Sequence, residues 1–228
     1  MPKKISHVSA ADHDVVTVAV AAAEAHTSGE IVTVVAAQSN DYDDVALVWA
    51  SVIAFIAMSA IALFPEFYRG LYDRLTGGWG YELTANQWLG TVIAIGVIKW
   101  IAMWLILLWR PLRLALTPRA IKAQRVRARA VDLFKVGTEA KTLGRTGVLL
   151  YLSLKEHRAD IVADEAIAAT VSPDVWGDAM AALIERVRAG EPGAGMAAAV
   201  TQMGVVLAQH FPRGSENPNE LPDRLIEI

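Results

Sequence analysis

Cysteine is absent from all 228 residues. Disulfides, cysteine–zinc sites, iron–sulfur clusters and thiol nucleophiles are therefore excluded. Several catalytic and binding signatures are missing too. The chain has no Gly-rich phosphate loop, HExxH helix, GxSxG elbow or EF-hand loop, and no repeat of fixed period. The first residues, MPKKISHVSAADHD, carry two lysines but no apolar core after them, so they do not read as a signal peptide. Net charge is only −3; what charge says here lies in its distribution.

What is present in excess is apolar sequence. Hydrophobic residues make up 54% of the chain, above the roughly 45–50% of an average soluble domain. The excess sits in two runs. Val45–Phe64 carries no charge, and Trp88–Trp109 carries one, Lys99. A bilayer core of ~30 Å is crossed by about 20 helical residues, so the two runs read as a transmembrane hairpin. Tyrosine and tryptophan cluster where an interfacial belt belongs: Trp49, Tyr68, Tyr72, Trp79, Tyr81, Trp88 and Trp109. The connecting stretch Pro65–Gln87, read as a loop, has only Arg69 and Arg74 as cations. The segment after the second run has Arg110, Arg113, Arg119, Lys122, Arg125, Arg127 and Arg129. That imbalance places both termini in the cytoplasm of a multi-pass protein.

Lys99 lies near the middle of the second run. A charge there costs at least ~2.5 kcal/mol on the insertion scale. The first run offers only Ser51 and Ser59 as polar partners and no carboxylate. A contact with a partner helix or with another subunit is one reading. Snorkelling or a local water defect is the other.

The flanks read as one soluble domain interrupted by the hairpin. Ser9 with Asp12 resembles a helix cap, Val15–Ala25 is a helical run, and Gly29 follows it. Ile31–Ala37 is a continuous β-branched strand that needs neighbours on both sides. These come only after the hairpin: Gly147–Leu154 is a second strand and Ala159–Ala163 a third, joined by a turn near Lys155–His157. Helices are expected from Arg119 to about Thr142, from Ser172 to Gly190, and from about Gly195 to His210, whose small residues permit close packing. The parts are thus residues 1–44, the hairpin 45–109, residues 110–212 and a tail 213–228. The fold class is α/β, a mixed sheet flanked by helices with an inserted two-helix hairpin.

At this point a family likeness is visible. The order GEIVTVVA, helix, GVLLYLSLKEHRADIVAD, and two helices around RAGEPGAGMAAAV resembles the TPM domain of thylakoid, bacterial and animal membrane-associated proteins. More narrowly it is similar to bacterial membrane proteins with a hairpin inserted after the first strand. Those end HFP…NELPDRLIEI, matched by His210-Phe211-Pro212 and Asn219–Ile228. The resemblance implies the fold and a bacterial inner-membrane location. It also implies one of two roles: acid phosphatase, or accessory factor for assembly or repair of a membrane complex. Related domains carry Asp-Asn-Gly before the second strand and a Gly-Tyr-Gly-like turn after the third. Here Arg145-Thr146-Gly147 and Asp164-Glu165-Ala166 stand there, without the first acidic residue.

Two constellations carry candidate chemistry. Asp160, Asp164 and Glu165 are the densest carboxylate cluster, with His157 nearby; such a cluster suits calcium or magnesium through oxygen ligands, the alternative being a solvated turn with Asp164 capping a short helix. His26 and His210 read as helix-end or packing residues. Arg119, Lys122, Arg125 and Arg129 recur at steps of three and four on one helical face. Anionic headgroups suit this stripe at ~1 kcal/mol per residue. Nucleic acid is not expected, because no aromatic interleaving or binding motif accompanies it. The leading expectation is a non-enzymatic, membrane-tethered interaction domain. A metal-dependent phosphatase is the alternative, and an oligomeric transporter subunit using Lys99 a third.

Overall fold

The computed structural model describes residues 8–77, 84–137, 146–214 and 221–228. Two compact units appear: Met1–Asn40 with Arg119–Ile228, and Asp41–Pro118. Trp79, Tyr81, Arg145, the stretch 138–142 of the expected basic helix, and Asn219 and Glu220 of the tail motif lie outside the described residues.

The first unit starts with helix α1, Ala10–Glu24. Its cap is reciprocal: Ser9 Oγ accepts the Asp12 N–H at 3.2 Å and Asp12 Oδ2 accepts the Ser9 N–H at 2.9 Å. Two of the orphan donors of the first turn are thereby met. Strand β1, Glu30–Ala36, is buried at every position. Its neighbours are β2, Gly147–Ser153, β3, Arg158–Ala163, and β4, Ile226–Glu227. The order across the sheet is β3-β2-β1-β4. β1 is parallel to β2, with Ile31 opposite Val148, and parallel to β4, while β2 and β3 form an antiparallel hairpin. His157, at φ 50°, closes that hairpin in the left-handed region, where histidine is more tolerated than most residues. The expected mixed α/β sheet is what the chain forms.

Alternation decides which helix covers which face. Ile31, Val35, Val148, Leu150 and Leu152 face α1, α8 (Gly177–Ala189) and α9 (Pro192–His210). Val32, Val34, Leu149, Tyr151 and Val162 face α6 (Arg119–Gly137) through its Val126, Ala130 and Phe134. Between β3 and α8 lie the short helix α7, Glu165–Thr170, and a 3-10 turn, Pro173–Trp176. α8 ends where Gly190 takes φ 90°, a conformation that favours glycine. The small residues of α9 are used as expected of them: a Cβ at Gly204 would fall 2.6 Å from that of Ala23 on α1.

The tail is not a separate segment. Leu221 and Leu225 are buried, and Ile226–Glu227 adds the fourth strand beside β1. A two-residue strand preceded by Pro and Asp gives no periodic signal, which is why its role was legible only as a motif.

The second unit holds α2 (Asp43–Leu63), α3 (Pro65–Thr76), α4 (Ala85–Leu107) and α5 (Arg110–Leu116). α2 and α4 pack antiparallel. Trp100 Nε1 donates to Ser51 Oγ at 3.2 Å, and Gly96 admits the Met58 side chain where a Cβ would collide at 2.6 Å. The stretch after Pro65, expected as loop, is instead the helix α3. Its Phe67, Leu71 and Leu75 recur every fourth residue and are exposed, an amphipathic stripe that a search for uninterrupted apolar runs passes over. The boundaries also move: the second unit reaches Pro118, because Arg113 is buried and ion-paired to Asp43, and Arg110 lies 3.5 Å from Asp41. Arg110 and Arg113, counted among the cations after the second run, have carboxylate partners.

Candidate functional site

The parallel strands β1 and β2 define two ends of the sheet in the first unit. In α/β sheets, sites form beyond the carboxyl ends of strands, so that end comes first. β1 runs out into Ser39 and β2 into Ser153 and the turn that carries Glu156. Glu156 is buried; its Oε1 accepts the Ser39 N–H at 2.8 Å and its Oε2 accepts from Ser153 Oγ. Ser39 Oγ and Tyr151 Oη lie 2.9 Å apart. Burial pushes the Tyr151 phenol above its ordinary range; the Ser39 bond opposes this, the neighbouring Glu156 carboxylate adds to it, and Arg129 opposes it. The phenol is thus neutral near pH 7.

The basic helix lies beside this network. α6 buries its apolar side, leaving Arg119 and Arg129 exposed and Lys122 and Arg125 half-buried. Burial lowers the Lys122 pKa; Glu156 opposes that shift, while Arg158 and Arg119 reinforce it. Arg127 lies off the stripe and donates to Asp160 Oδ1 at 2.6 Å and to the Ile161 carbonyl at 2.8 Å.

The opposite end of the sheet is acidic. Glu24, Glu30 and Asp164 are all buried. Each accepts a main-chain N–H: Glu24 Oε1 from Ile31 at 2.7 Å, Glu30 Oε2 from Leu221 at 3.3 Å, and Asp164 Oδ2 from Gly147 at 3.1 Å. Burial pushes the Glu24 carboxyl up to about 8. The Ile31 N–H opposes this, Glu30 and Asp223 reinforce it, and Arg213 opposes it. Arg213 Nη1 donates to the Glu24 carbonyl at 3.4 Å, and Thr27 Oγ1 donates to the Phe211 carbonyl at 2.6 Å. The carboxylates thereby tie α1, β1, β2 and the C-terminal segment together.

The expected carboxylate cluster comes apart in this geometry. Asp160 sits in the body of β3 opposite Tyr151, whereas Asp164 ends the strand. Four residues at ~3.3 Å each put them about 13 Å apart, too far to share an ion whose ligand oxygens lie ~2.3–2.6 Å from it. Asp164 begins α7 but does not cap it with its side chain, which turns to Gly147 instead. Glu165 is exposed in the first turn of α7. Among the described residues no three His, Asp or Glu side chains are grouped to hold a metal. A divalent cation of the kind that the resemblance implies does not fit this carboxylate set.

Sequence reasoning missed Glu24, Glu30, Glu156, Ser39, Tyr151 and Ser153. Glu30 had a signal, a carboxylate opening a fully buried strand, and Glu24 bonds the main chain seven residues on; Ser39 meets Tyr151 and Glu156 only through contacts more than a hundred residues apart. His26 sits just past the end of α1 and His210 ends α9. Lys99 is exposed on α4 in the second unit.

No family model matches the chain, and no curated protein matches it. Among solved structures, the chain resembles the NMR structure of BA42 protein from the psychrophilic bacterium Bizionia argentinensis. The match covers 99% of each chain, with a TM-score of 0.56 and 17% identity. At that identity the two share a fold, and the likeness says nothing about chemistry.

Proposed function

We propose that this chain is a TPM-type protein of the bacterial inner membrane, tethered by α2 and α4, with both termini cytoplasmic. Its α/β domain serves as an interaction module in the assembly or maintenance of a membrane complex. One observation carries the membrane reading. α2 and α4 are 21 and 23 residues long, and only 28% and 6% of their most apolar stretches are buried. A soluble core helix would hide those faces. Here Phe55, Ile56, Val97 and Ile98 are more than half exposed, an apolar surface that soluble proteins seldom leave in water. The exposed stripe of α3 suits the interface between headgroups and chains.

What the polar groups of the domain do supports this role. Its buried carboxylates and hydroxyls bind its own main chain and turns, which is the chemistry of a scaffold. Its surfaces offer contact instead. A groove of about 450 Å³ between α1 and α9 is lined by Ala19, Ala22, Gly204, Val205 and Ala208, beside exposed Val15 and Val18. The chain passes between the two units at 40–41 and 118–119, and the cations of α6 begin at the second passage. Anionic headgroups suit them.

The cysteine-free chain permits a direct test. Single variants Gly70→Cys on α3, where a Cβ meets nothing within 4 Å, and Ala189→Cys on α8, which is exposed, are expressed in cells. An impermeant maleimide is expected to label Gly70→Cys in intact spheroplasts and Ala189→Cys only after permeabilisation. The reverse pattern overturns the orientation. Release of the protein from membranes by alkaline carbonate overturns the tether.

A further inference from the structure

Between residues 45–63 and 85–107 the hairpin carries a single charged side chain, Lys99. Ser51 receives the Trp100 indole N–H, and the seam between α2 and α4 is otherwise filled by Ala50, Ala54, Met58, Ile61 and Gly96. Lys99 lies beside that seam. It is exposed and, among the described residues, makes no hydrogen bond or ion pair. Ile95, Ala102 and Ile106 share its side of α4 at helical spacing, so the lysine is set in an apolar face with a small residue one turn on.

Geometry works against escape to water. At ~1.5 Å per residue, Lys99 is about 12 Å from the C-terminal end of α4 and about 21 Å from its N-terminal end. The Cα–Cβ bond of a helical residue leans toward the helix N-terminus. The side chain therefore points along the longer route, and snorkelling to the nearer interface must work against its own direction. Charged side chains at this depth pair with one another or with backbone carbonyls, or face a water-filled cavity.

An opposite charge does not come from another copy. Residues 45–63 and 85–107 contain no aspartate or glutamate, and Asp43 and Asp44 stand in the first turn of α2, at its end. Two copies meeting on this face would set lysine against lysine or against aliphatic side chains. We infer that the Lys99 face of α4 is the docking surface for a transmembrane helix of a different protein, one with an aspartate or glutamate near mid-span. Ala102 lets that helix approach closely, and the carboxylate pairs with the ammonium where water is excluded. This rests on the membrane reading above.

The test uses the full-length protein, donor-labelled at Ala189→Cys and reconstituted in neutral vesicles. The probes are designed single-span leucine–alanine peptides carrying an acceptor and either one mid-span glutamate or leucine at the same site. Flotation with the vesicles is recorded first. Energy transfer is expected to report association with the glutamate peptide at least tenfold tighter than with the leucine peptide. Lys99→Leu should abolish that preference, and Lys99→Glu should transfer it to a mid-span lysine peptide. Equal association of both peptides overturns the proposal, as does a preference that survives in Lys99→Leu. Energy transfer between two labelled copies that disappears in Lys99→Leu also overturns it, in favour of self-association. Failure to float sinks the membrane reading and this one together; floating without discrimination sinks only this one.

Discussion

The two ends of the sheet solve the same problem in different ways. Both bury carboxylates. At the end where β1 and β2 finish, Glu156 is met by a serine hydroxyl and a backbone N–H, with Lys122, Arg129 and Arg158 in the surrounding field. At the end where they begin, Glu24 and Glu30 lie close enough to repel, and a single guanidinium, Arg213, acts against burial. Each accepts a main-chain N–H. Burial alone therefore does not set the electrostatics of a buried acid. The sign and number of charges around it do, and at the acidic end they leave Glu24 proton-sensitive.

The largest expected effect comes from removing that sensitivity. Folded Glu24 holds its proton to about pH 8, against an ordinary value of 4.5. Between those values the folded state binds more protons than the unfolded state, so stability falls as pH rises. Below 4.5 both states are protonated, and above about 8 both are ionised, so the contribution is flat outside the window. At about 1.4 kcal/mol per unit the upper bound across it is roughly 5 kcal/mol. Glu24→Gln keeps an acceptor for the Ile31 N–H and removes the titration. Thermal unfolding of the full-length protein in detergent should decline from pH 5 to 8 in the wild type and stay nearly level in the variant. Parallel declines would show that Glu24 is not the group concerned.

A second substitution pair compares the ends directly. Asp164→Ala strands the buried Gly147 N–H, and Glu156→Ala strands the Ser39 N–H and takes an acceptor from the Ser153 hydroxyl. An unmet buried donor costs about 1–3 kcal/mol. Glu156→Ala is expected to be the more damaging, with Asp164→Asn and Glu156→Gln recovering most of each loss because an acceptor oxygen remains. Denaturant midpoints measure both. Equal losses in the Ala and amide variants would mean that charge, not hydrogen bonding, is what each end requires.

How much of this was legible in the sequence depends on range. Periodicity reported α1, α6 and the run of β1 because their apolar faces recur along the chain, and the Ser9–Asp12 box marked its helix start three residues apart. The hairpin was legible by length alone. The amphipathic α3 was missed because its Phe67, Leu71 and Leu75 alternate with charges in a stretch read for continuous hydrophobicity. β4 was missed because a two-residue strand exists only through its partner, β1. The site suffered most. Asp160, Asp164 and Glu165 are close in sequence, but a strand spreads its residues at ~3.3 Å per step, so proximity along β3 became separation in space. Ser39 and Glu156 meet only after a parallel crossover that encloses the entire hairpin.

The smallest expected effect lies between the two ends, at Asp160. Its carboxylate pairs with Arg127, which is half-exposed and also donates to the Ile161 carbonyl. Such a pair is worth about 0.2–1 kcal/mol and weakens with salt. Asp160→Asn should therefore shift the unfolding midpoint only slightly, and less at high ionic strength. A cation shared with Asp164 makes a different demand: a ligand that binds only the folded state raises stability with its concentration. Unfolding of the wild type is expected to be the same in chelator as in millimolar calcium or magnesium. A cation-dependent rise that disappears in Asp160→Asn would bring Asp160 and Asp164 back into one site. It would also require β3 to bend by several ångströms, because Arg127 must release the carboxylate before any ion can take it.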